Sequence, residues 1–376
     1  MKVGFRTGRS FDALRSNWDG TDYRPLAWTV WYPADESSVV GVPVERSWFK
    51  KEPVAVNAPV ARGARALPLV LLSHGTGATA AALEWLGFRL AQRGFVALAV
   101  NHHGHTGSEP YRPEGFLCLW ERAADLTAIL DDRTWRRELG TEIDDSASVA
   151  GFSAGAYTAL LLAGARVAFS QFEPGNPVKS PIRGPREFPN LADELPKLSE
   201  NPAFKVAWER RRADFSDQRI QCAFAIAPGR SVLGFSQDSL RAIEKPVQII
   251  GGDADIVAPP SDCCRWLYEN IPDCKQEILT GGVGHYTFLP EGSEVGFEAA
   301  PELFIDPEGL RRGVIHDYTA ERAVGFSRVG PETSEKIVVV DDSLTNVEAA
   351  HAAGWGRCID HQSPAETIAQ IATILA

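Results

Sequence analysis

The chain has 376 residues, of which 44% are hydrophobic and 23% charged, the balance of a globular protein and not of a disordered one. A formal net charge of −11 counts against nucleic acid or an anionic membrane as the main partner. Six cysteines make no disulfide framework, no apolar run approaches the roughly 20 residues of a membrane span, and MKVGFRTGRSFDALRSNWDG lacks the apolar stretch of a secretory signal, so a cytoplasmic protein is expected.

Residues 1–66 carry one strand candidate, Trp28–Tyr32, which is β-branched and aromatic and is ended by Pro33 and Asp35. The stretch Pro53–Ala66, rich in Ala, Pro and Val, reads as a loop. From Leu67 onward the pattern predicts a buried strand at Leu67–Ser73, a helix at Ala80–Arg93 stopped by Gly94, and a strand at Phe95–Val100. A helix at Leu119–Leu130, a strand at Ala147–Gly151 and a small-residue helix at Ala154–Gly164 follow. Apolar strands alternating with helices predict an α/β fold, with a mostly parallel central sheet and helices on both faces. Between Ala165 and Arg219 the alternation stops amid prolines and mixed charges, which reads as a cap inserted over one end of the sheet. Strands resume at Gln221–Ala227, Pro246–Gly251 and Gln276–Leu279, with helices at Ser261–Asn270 and Ile315–Phe326. Gly330-Pro331 then punctuates, and Lys336–Ala376 gives one more strand–helix–strand–helix set. The expected organisation is one domain over 1–328, with its cap at 165–219, and a C-terminal extension over 329–376.

The chemistry gathers in the loops after these strands. Gly151-Phe152-Ser153-Ala154-Gly155 is a G-x-S-x-G pentapeptide with a strand running in and a helix running out. So tight a turn strains the backbone at Ser153, needs a small residue on either side, and leaves the hydroxyl above the sheet near the positive end of a helix. The plainer reading is a glycine-rich turn with a capping serine; the strand-to-helix context favours a nucleophile. A serine nucleophile needs a base, and the base an orienting acid. Asp253 and Asp255 both lie just past the strand at Pro246–Gly251. Of eight histidines, four come after both aspartates, and His285 alone sits in a Gly-rich loop after a strand. Ser73-His74-Gly75-Thr76-Gly77 follows another strand, and the backbone N–H groups of Thr76 and Ala154 are the expected oxyanion donors. His74 reads as a hydrogen bonder of that loop and not as a second base.

Three further groups tempt. Asn101-His102-His103-Gly104-His105 lacks partnering cysteine or carboxylate spacing, so no metal site is expected there. Cys263-Cys264 reads as two buried small residues on a helix, and Arg210-Arg211-Arg212 as a solvated helix face.

Together, SHGTG, LAQRGFVALAVNHHGHTGS, GFSAG, and GGDADIVAPP followed by GGVGHYTFLP resemble the α/β-hydrolase superfamily, over about Arg24 to Arg328. Within it they are most similar to the predicted dienelactone-hydrolase and platelet-activating-factor acetylhydrolase-like branch. The resemblance implies carboxylic-ester hydrolysis (EC 3.1.1 type) through an acyl-serine intermediate, with a small-molecule ester as partner and no metal or organic cofactor. That branch carries its acid in a G-x-x-D-x-x-x-P pattern, which falls on Asp255, with Gly252 and Pro259 around it, and leaves Asp253 the weaker candidate. Dienelactone hydrolase itself uses a cysteine where this chain has Ser153, which favours an ordinary esterase acting on a small or medium ester. A lactonase, thioesterase or amidase would use the same triad, and a non-catalytic scaffold is the reading from another class. The stretch from Ile337 to Trp355 resembles the last acidic motif of haloacid-dehalogenase-type phosphatases. The D-x-D nucleophile of that family is not matched, because the Asp-x-Asp at 253–255 belongs to the acid loop. The tail therefore reads as an appended βαβα element, an edge extension or a homo-oligomer contact.

Overall fold

The computed structural model describes residues 1–43, 46–61, 63, 66–328, 338–341 and 357–360. They fall into two compact units, Met1–Ser327 and Arg328–Ala376. The first unit is built on a sheet of β1 (Val3–Ser16), β2 (Tyr23–Pro33), β3 (Ala55–Val56), β4 (Leu67–Ser73), β5 (Val96–Asn101), β6 (Ile143–Phe152), β7 (Ile220–Ile226), β8 (Val247–Gly252) and β9 (Cys274–Leu279). Their spatial order is β3-β1-β2-β5-β4-β6-β7-β8-β9. From β5 through β9 every neighbouring pair is parallel, while β2 runs antiparallel to both β1 and β5.

Alternate residues of the central strands feed two separate cores. Leu69 and Leu71 of β4, and Val96, Leu98 and Val100 of β5, point into one; Val70, Leu72, Ala97 and Ala99 point into the other. A strand buried on both faces reads as a continuous apolar run, which is why these segments stand out in the sequence. The helices in chain order are α1 (Glu84–Gln92), α2 (Pro113–Leu117), α3 (Glu121–Asp131), α4 (Thr134–Leu139), α5 (Ala154–Ala163), α6 (Leu195–Leu198), α7 (Pro202–Glu209), α8 (Gln237–Arg241), α9 (Cys263–Asn270), α10 (Glu294–Ala299) and α11 (Arg312–Arg328). Apolar residues of α3, α5 and α9 fill the first core, and those of α1 and α11 the second. All ten residues of α5 are buried, as a helix that is apolar all round requires.

The first 66 residues hold more strand than expected. β1 is rich in Arg, Asp, Ser and Thr and largely exposed toward one end, so no alternation marks it; eleven pairings to β2 select it as a strand. The expected loop at Pro53–Ala66 contributes Ala55–Val56 as the edge strand beside β1. At Ala80–Arg93 the helix opens with a 3-10 turn, Ala80–Leu83, before α1 begins. The stretch 165–219 has no sheet strand; its helices include α6 and α7, the latter capped by the Asn201 side chain, which accepts from Ala203 N and Phe204 N. In the second unit, β10 (Val338–Asp341) and β11 (Arg357–Asp360) form a parallel pair. The remainder of the expected strand–helix–strand–helix set lies outside the described residues.

Candidate active site

β6 ends at Phe152 and α5 begins at Ala154, so a single residue turns the chain from strand to helix. That residue, Ser153, sits at φ 55° and ψ −113°, a left-handed conformation that L side chains rarely adopt. The flanking glycines are required by contact. A Cβ on Gly151 would lie 2.0 Å from the Gly155 carbonyl oxygen, and one on Gly155 would lie 1.7 Å from that of Ser73. Ser153 N–H donates to Ile226 O at 2.9 Å, which ties the turn to β7. Gly229, just past β7, faces the hydroxyl, where a Cβ would stand 3.3 Å from Ser153 Oγ. Sequence reasoning missed Gly229, whose only signal is the Pro228-Gly229 pair after a strand.

The loops after β8 and β9 bring two more side chains to this turn. His285 Nε2 lies 3.0 Å from Ser153 Oγ, and His285 Nδ1 lies 2.6 Å from Asp255 Oδ2. The other oxygen of Asp255 accepts from Ala258 N–H at 2.7 Å, so its carboxylate is fixed at both ends. All three side chains are buried, with Ser153 at 9% exposure the most accessible. Asp253, two residues earlier, faces the other way. Its carboxylate accepts from the N–H groups of Gly281, Gly282 and Val283 at 2.9–3.0 Å and so anchors the loop that carries His285. The far side of that loop is held by α11 and α1: His316 bonds Thr287 O at 2.9 Å, and Trp85 Nε1 donates to Phe288 O at 2.9 Å.

The loop after β4 runs beside the same turn. His74 Nδ1 bonds Gly75 O at 2.8 Å, and His102 N–H donates to His74 Nε2 at 3.3 Å. The His74 ring thus hydrogen-bonds the loop, as its sequence position suggests. Beneath the loop lies a buried polar cluster that the sequence did not announce. Ser73 Oγ is 2.9 Å from His102 Nε2, and His102 Nδ1 is 3.0 Å from Asp125 Oδ2. Arg122 donates to Ser73 Oγ, to His74 O and to His105 Nδ1. Asp125 also accepts from Arg15 Nη2 at 2.7 Å and Arg24 Nε at 2.6 Å. Burial, and after it the positive field of Arg122, holds His102 down at about 3, and the same two causes keep His74 and His105 well below the usual histidine range. Burial would raise Asp125, but Arg24, Arg15 and His102 outweigh it and hold the carboxyl well below its ordinary value.

The three histidines near Asn101 all have side-chain partners, two of them within this cluster. His102 is taken by Asp125, His103 by Glu109 at 2.7 Å, and His105 by Arg122. Among the described residues no group of three or more His, Cys, Asp or Glu side chains is placed to hold a metal ion. Cys263 and Cys264 are buried in the first turn of α9, and burial pushes the Cys263 thiol up to about 12 and Cys264 higher still. The reading of Arg210–Arg212 as a solvated helix face needs correction. α7 stops at Glu209; Arg210 pairs with buried Glu121, and Arg211 bonds Glu173 at 3.0 Å while lying over the Trp208 ring. Arg212 alone of the three is largely exposed. The carboxylates that bind the first two come from α3 and from residue 173, too far along the chain for local charge balance to reveal.

A family model described as "Alpha/beta hydrolase family" matches residues 69–299, more than half of the chain. The chain belongs to this family. Its match to the α/β hydrolases spans the loop after β4, Ser153, the stretch 165–219, Asp255 and His285, and leaves β1 and α11 outside. A comparison with curated proteins finds no match. Among solved structures, a ferulic acid esterase from Streptomyces cinnamoneus superposes with a TM-score of 0.58 at 18% identity, over 89% of this chain and 94% of its own. At that identity the likeness speaks for the α/β-hydrolase fold.

Proposed function

We propose that the protein is a serine hydrolase that cleaves a small or medium carboxylic ester through an acyl-serine intermediate. One observation carries this reading: the unbroken chain from Ser153 Oγ through His285 to Asp255, set at a strained strand-to-helix turn. Attack follows from it. His285 Nε2 takes the hydroxyl proton as Ser153 Oγ bonds the acyl carbon, and the Asp255 carboxylate holds the imidazole and stabilises the imidazolium. The carbonyl oxygen becomes an oxyanion, for which the Thr76 and Ala154 N–H groups are the proposed donors. Collapse breaks the carbon–oxygen bond of the leaving group, and the imidazolium gives its proton to the departing alkoxide. A water, deprotonated by His285, then attacks the acyl carbon, and Ser153 recovers its proton as the acid leaves.

The structurally similar ferulic acid esterase hydrolyses an ester, which favours an ester over a lactone, thioester or amide served by the same triad. A non-catalytic scaffold would have no use for a serine held at positive φ. We further infer membership of the dienelactone-hydrolase and acetylhydrolase-like branch from its acid-loop pattern, Gly252, Asp255 and Pro259. We read 165–219 as a cap, supported by the Phe116–Phe188 ring contact at 5.0 Å and by Glu187 against Gly77 beside the candidate oxyanion loop. The tail at 329–376 is taken as an appended element resembling the end of a haloacid-dehalogenase-type domain, and the protein as cytoplasmic.

The test is intact mass after a fluorophosphonate, on wild type and on Ser153→Ala, beside p-nitrophenyl esters of graded acyl length. One adduct per chain on wild type, none on the variant, and turnover lost by about 10⁴-fold or more are expected. Folded wild type with neither adduct nor turnover would overturn the reading.

A further inference from the structure

The cluster beneath the loop after β4 repeats the atoms of the candidate triad. Ser73 Oγ, His102 Nε2, His102 Nδ1 and Asp125 Oδ2 follow one another at 2.9 and 3.0 Å, yet all three residues have zero exposure. No substrate reaches them. We propose that Ser73, His102, Asp125 and Arg122 are positioning residues that aim the Thr76 N–H at the oxyanion, a proposal that rests on the serine-hydrolase reading above.

Arg122 can only donate, so Ser73 Oγ accepts from it and gives its own proton to His102 Nε2. His102 therefore carries its proton on Nδ1 and donates it to Asp125, which Arg15 and Arg24 hold in place. With the His102 ring and backbone fixed, its N–H points at His74 Nε2 and makes that nitrogen an acceptor. The His74 proton must then sit on Nδ1, where it is donated to Gly75 O at 2.8 Å. The peptide unit is planar and trans, so its C=O and N–H point in opposite directions. Gripping Gly75 O from within, with help from Ala78 N–H at 3.3 Å, turns the Thr76 N–H of the same peptide outward.

A second contact sets the distance between the two donors. Arg122 draws the His74 carbonyl inward, and the Ser73 carbonyl lies so close to Gly155 that a Cβ there would stand 1.7 Å from its oxygen. The loop that offers Thr76 N–H is thereby seated on the turn that offers Ala154 N–H. Well-packed apolar side chains of similar volume would stabilise the interior at least as well as a buried ion cluster, so what the cluster adds is direction.

The test uses the full chain with His74→Phe, which keeps an aromatic ring but removes the donor to Gly75 O, and His74→Asn, whose side-chain amide can stand in for Nδ1–H. Arg122→Lys, which keeps the charge but replaces the planar two-nitrogen fork with a single ammonium nitrogen, is the third variant. Each is checked for folding by circular dichroism and assayed for kcat, for KM and for the affinity of phenylboronic acid, whose tetrahedral adduct on Ser153 places an oxygen among the donors. Expected for His74→Phe is a kcat loss of about 10–100-fold, part of what deleting an oxyanion donor costs, with KM within about threefold and boronate affinity falling in step with kcat. His74→Asn should return to within about fivefold of wild type, and Arg122→Lys should lose about 3–10-fold in kcat and boronate affinity together. A folded Phe variant with kcat within threefold of wild type overturns the proposal. So does a loss that Asn shares in full, or one that leaves boronate affinity untouched. If His74→Phe does not fold, Arg122→Lys decides on the same two readouts. Fluorophosphonate labelling of wild type separates the two layers, because an unlabelled wild type sinks the serine-hydrolase reading, whereas a labelled one with unaffected variants sinks this proposal alone.

Discussion

Among the described residues, two Ser–His–Asp constellations are both linked at hydrogen-bonding distance. In the one at the β6–α5 turn, serine to histidine is 3.0 Å and histidine to aspartate 2.6 Å; in the one under the loop after β4 the values are 2.9 and 3.0 Å. What differs is everything around them. Ser153 is on a left-handed turn and retains some exposure, and Gly229 leaves space at its hydroxyl. Ser73 is the last residue of a regular strand, has zero exposure, and has Arg122 on its oxygen. The aspartates differ as well: Asp255 takes the histidine and one backbone N–H, whereas Asp125 takes the histidine and two arginines. On the proposed reading, what separates Ser153 from Ser73 is not hydrogen-bond length but access, backbone strain and an oxygen free of a competing cation.

The two aspartates give the largest separation between these regions. Asp255→Asn keeps the shape but donates toward His285, forcing the wrong tautomer, and kcat should fall by about 10³–10⁴-fold while the thermal midpoint stays near wild type. Asp125→Asn withdraws the charge that Arg15 and Arg24 are buried against and should cost about 3–5 kcal/mol of stability, read as a lower urea midpoint. Equal stability losses from the two variants would break the comparison.

Acid sharpens it further. His102 and His316 are each held at about 3, mainly by burial, and His74 and His105 lie well below their ordinary range. In the unfolded chain they protonate near 6.5, so between about pH 6.5 and 3 the unfolded state binds more protons and stability falls as pH falls. His102 and His316 should each contribute a loss on the order of 2 kcal/mol between pH 7 and 5, and His74 and His105 act in the same direction. Glu84, raised by its burial, runs the other way. Urea unfolding at pH 7, 6 and 5 gives the proton uptake, and His316→Gln should lower it by about one. An unchanged slope in that variant would remove His316 from the account.

These regions were not equally legible in the sequence. The elbow announces itself because its demands are local: two glycines within bonding reach of a serine, an apolar strand before and an apolar helix after. The same holds for β4 through β8, buried on both faces. Between Asp253 and Asp255 the strand position alone left the choice open. The structure shows why: the two alternate about one turn, so that one carboxylate meets His285 and the other meets the N–H groups of Gly281–Val283. The buried cluster was illegible because its members come from residues 15, 24, 73, 102, 122 and 125, on five elements or their ends, and no spacing rule joins them. β1 was missed for a related reason, since a polar strand is defined by its partner more than by its own residues.

Ser73→Ala is the smallest perturbation and the closest to the comparison itself. It removes one oxygen from a site where that atom accepts from Arg122 and donates to His102. Arg122 keeps its bonds to His74 O and His105, and His102 keeps Asp125, so the cluster loosens without leaving a charge unpaired. The expected cost is about 1–2 kcal/mol of stability, the usual consequence of leaving a buried partner unsatisfied. Because the loop loses one of several restraints, kcat should fall by no more than about fivefold, against the four or more decades expected at Ser153. A fluorophosphonate should still add once per chain. If instead Ser73→Ala abolished the adduct while the protein stayed folded, the buried serine would be the reactive one, and accessibility would have to be given up as the property that separates the two constellations.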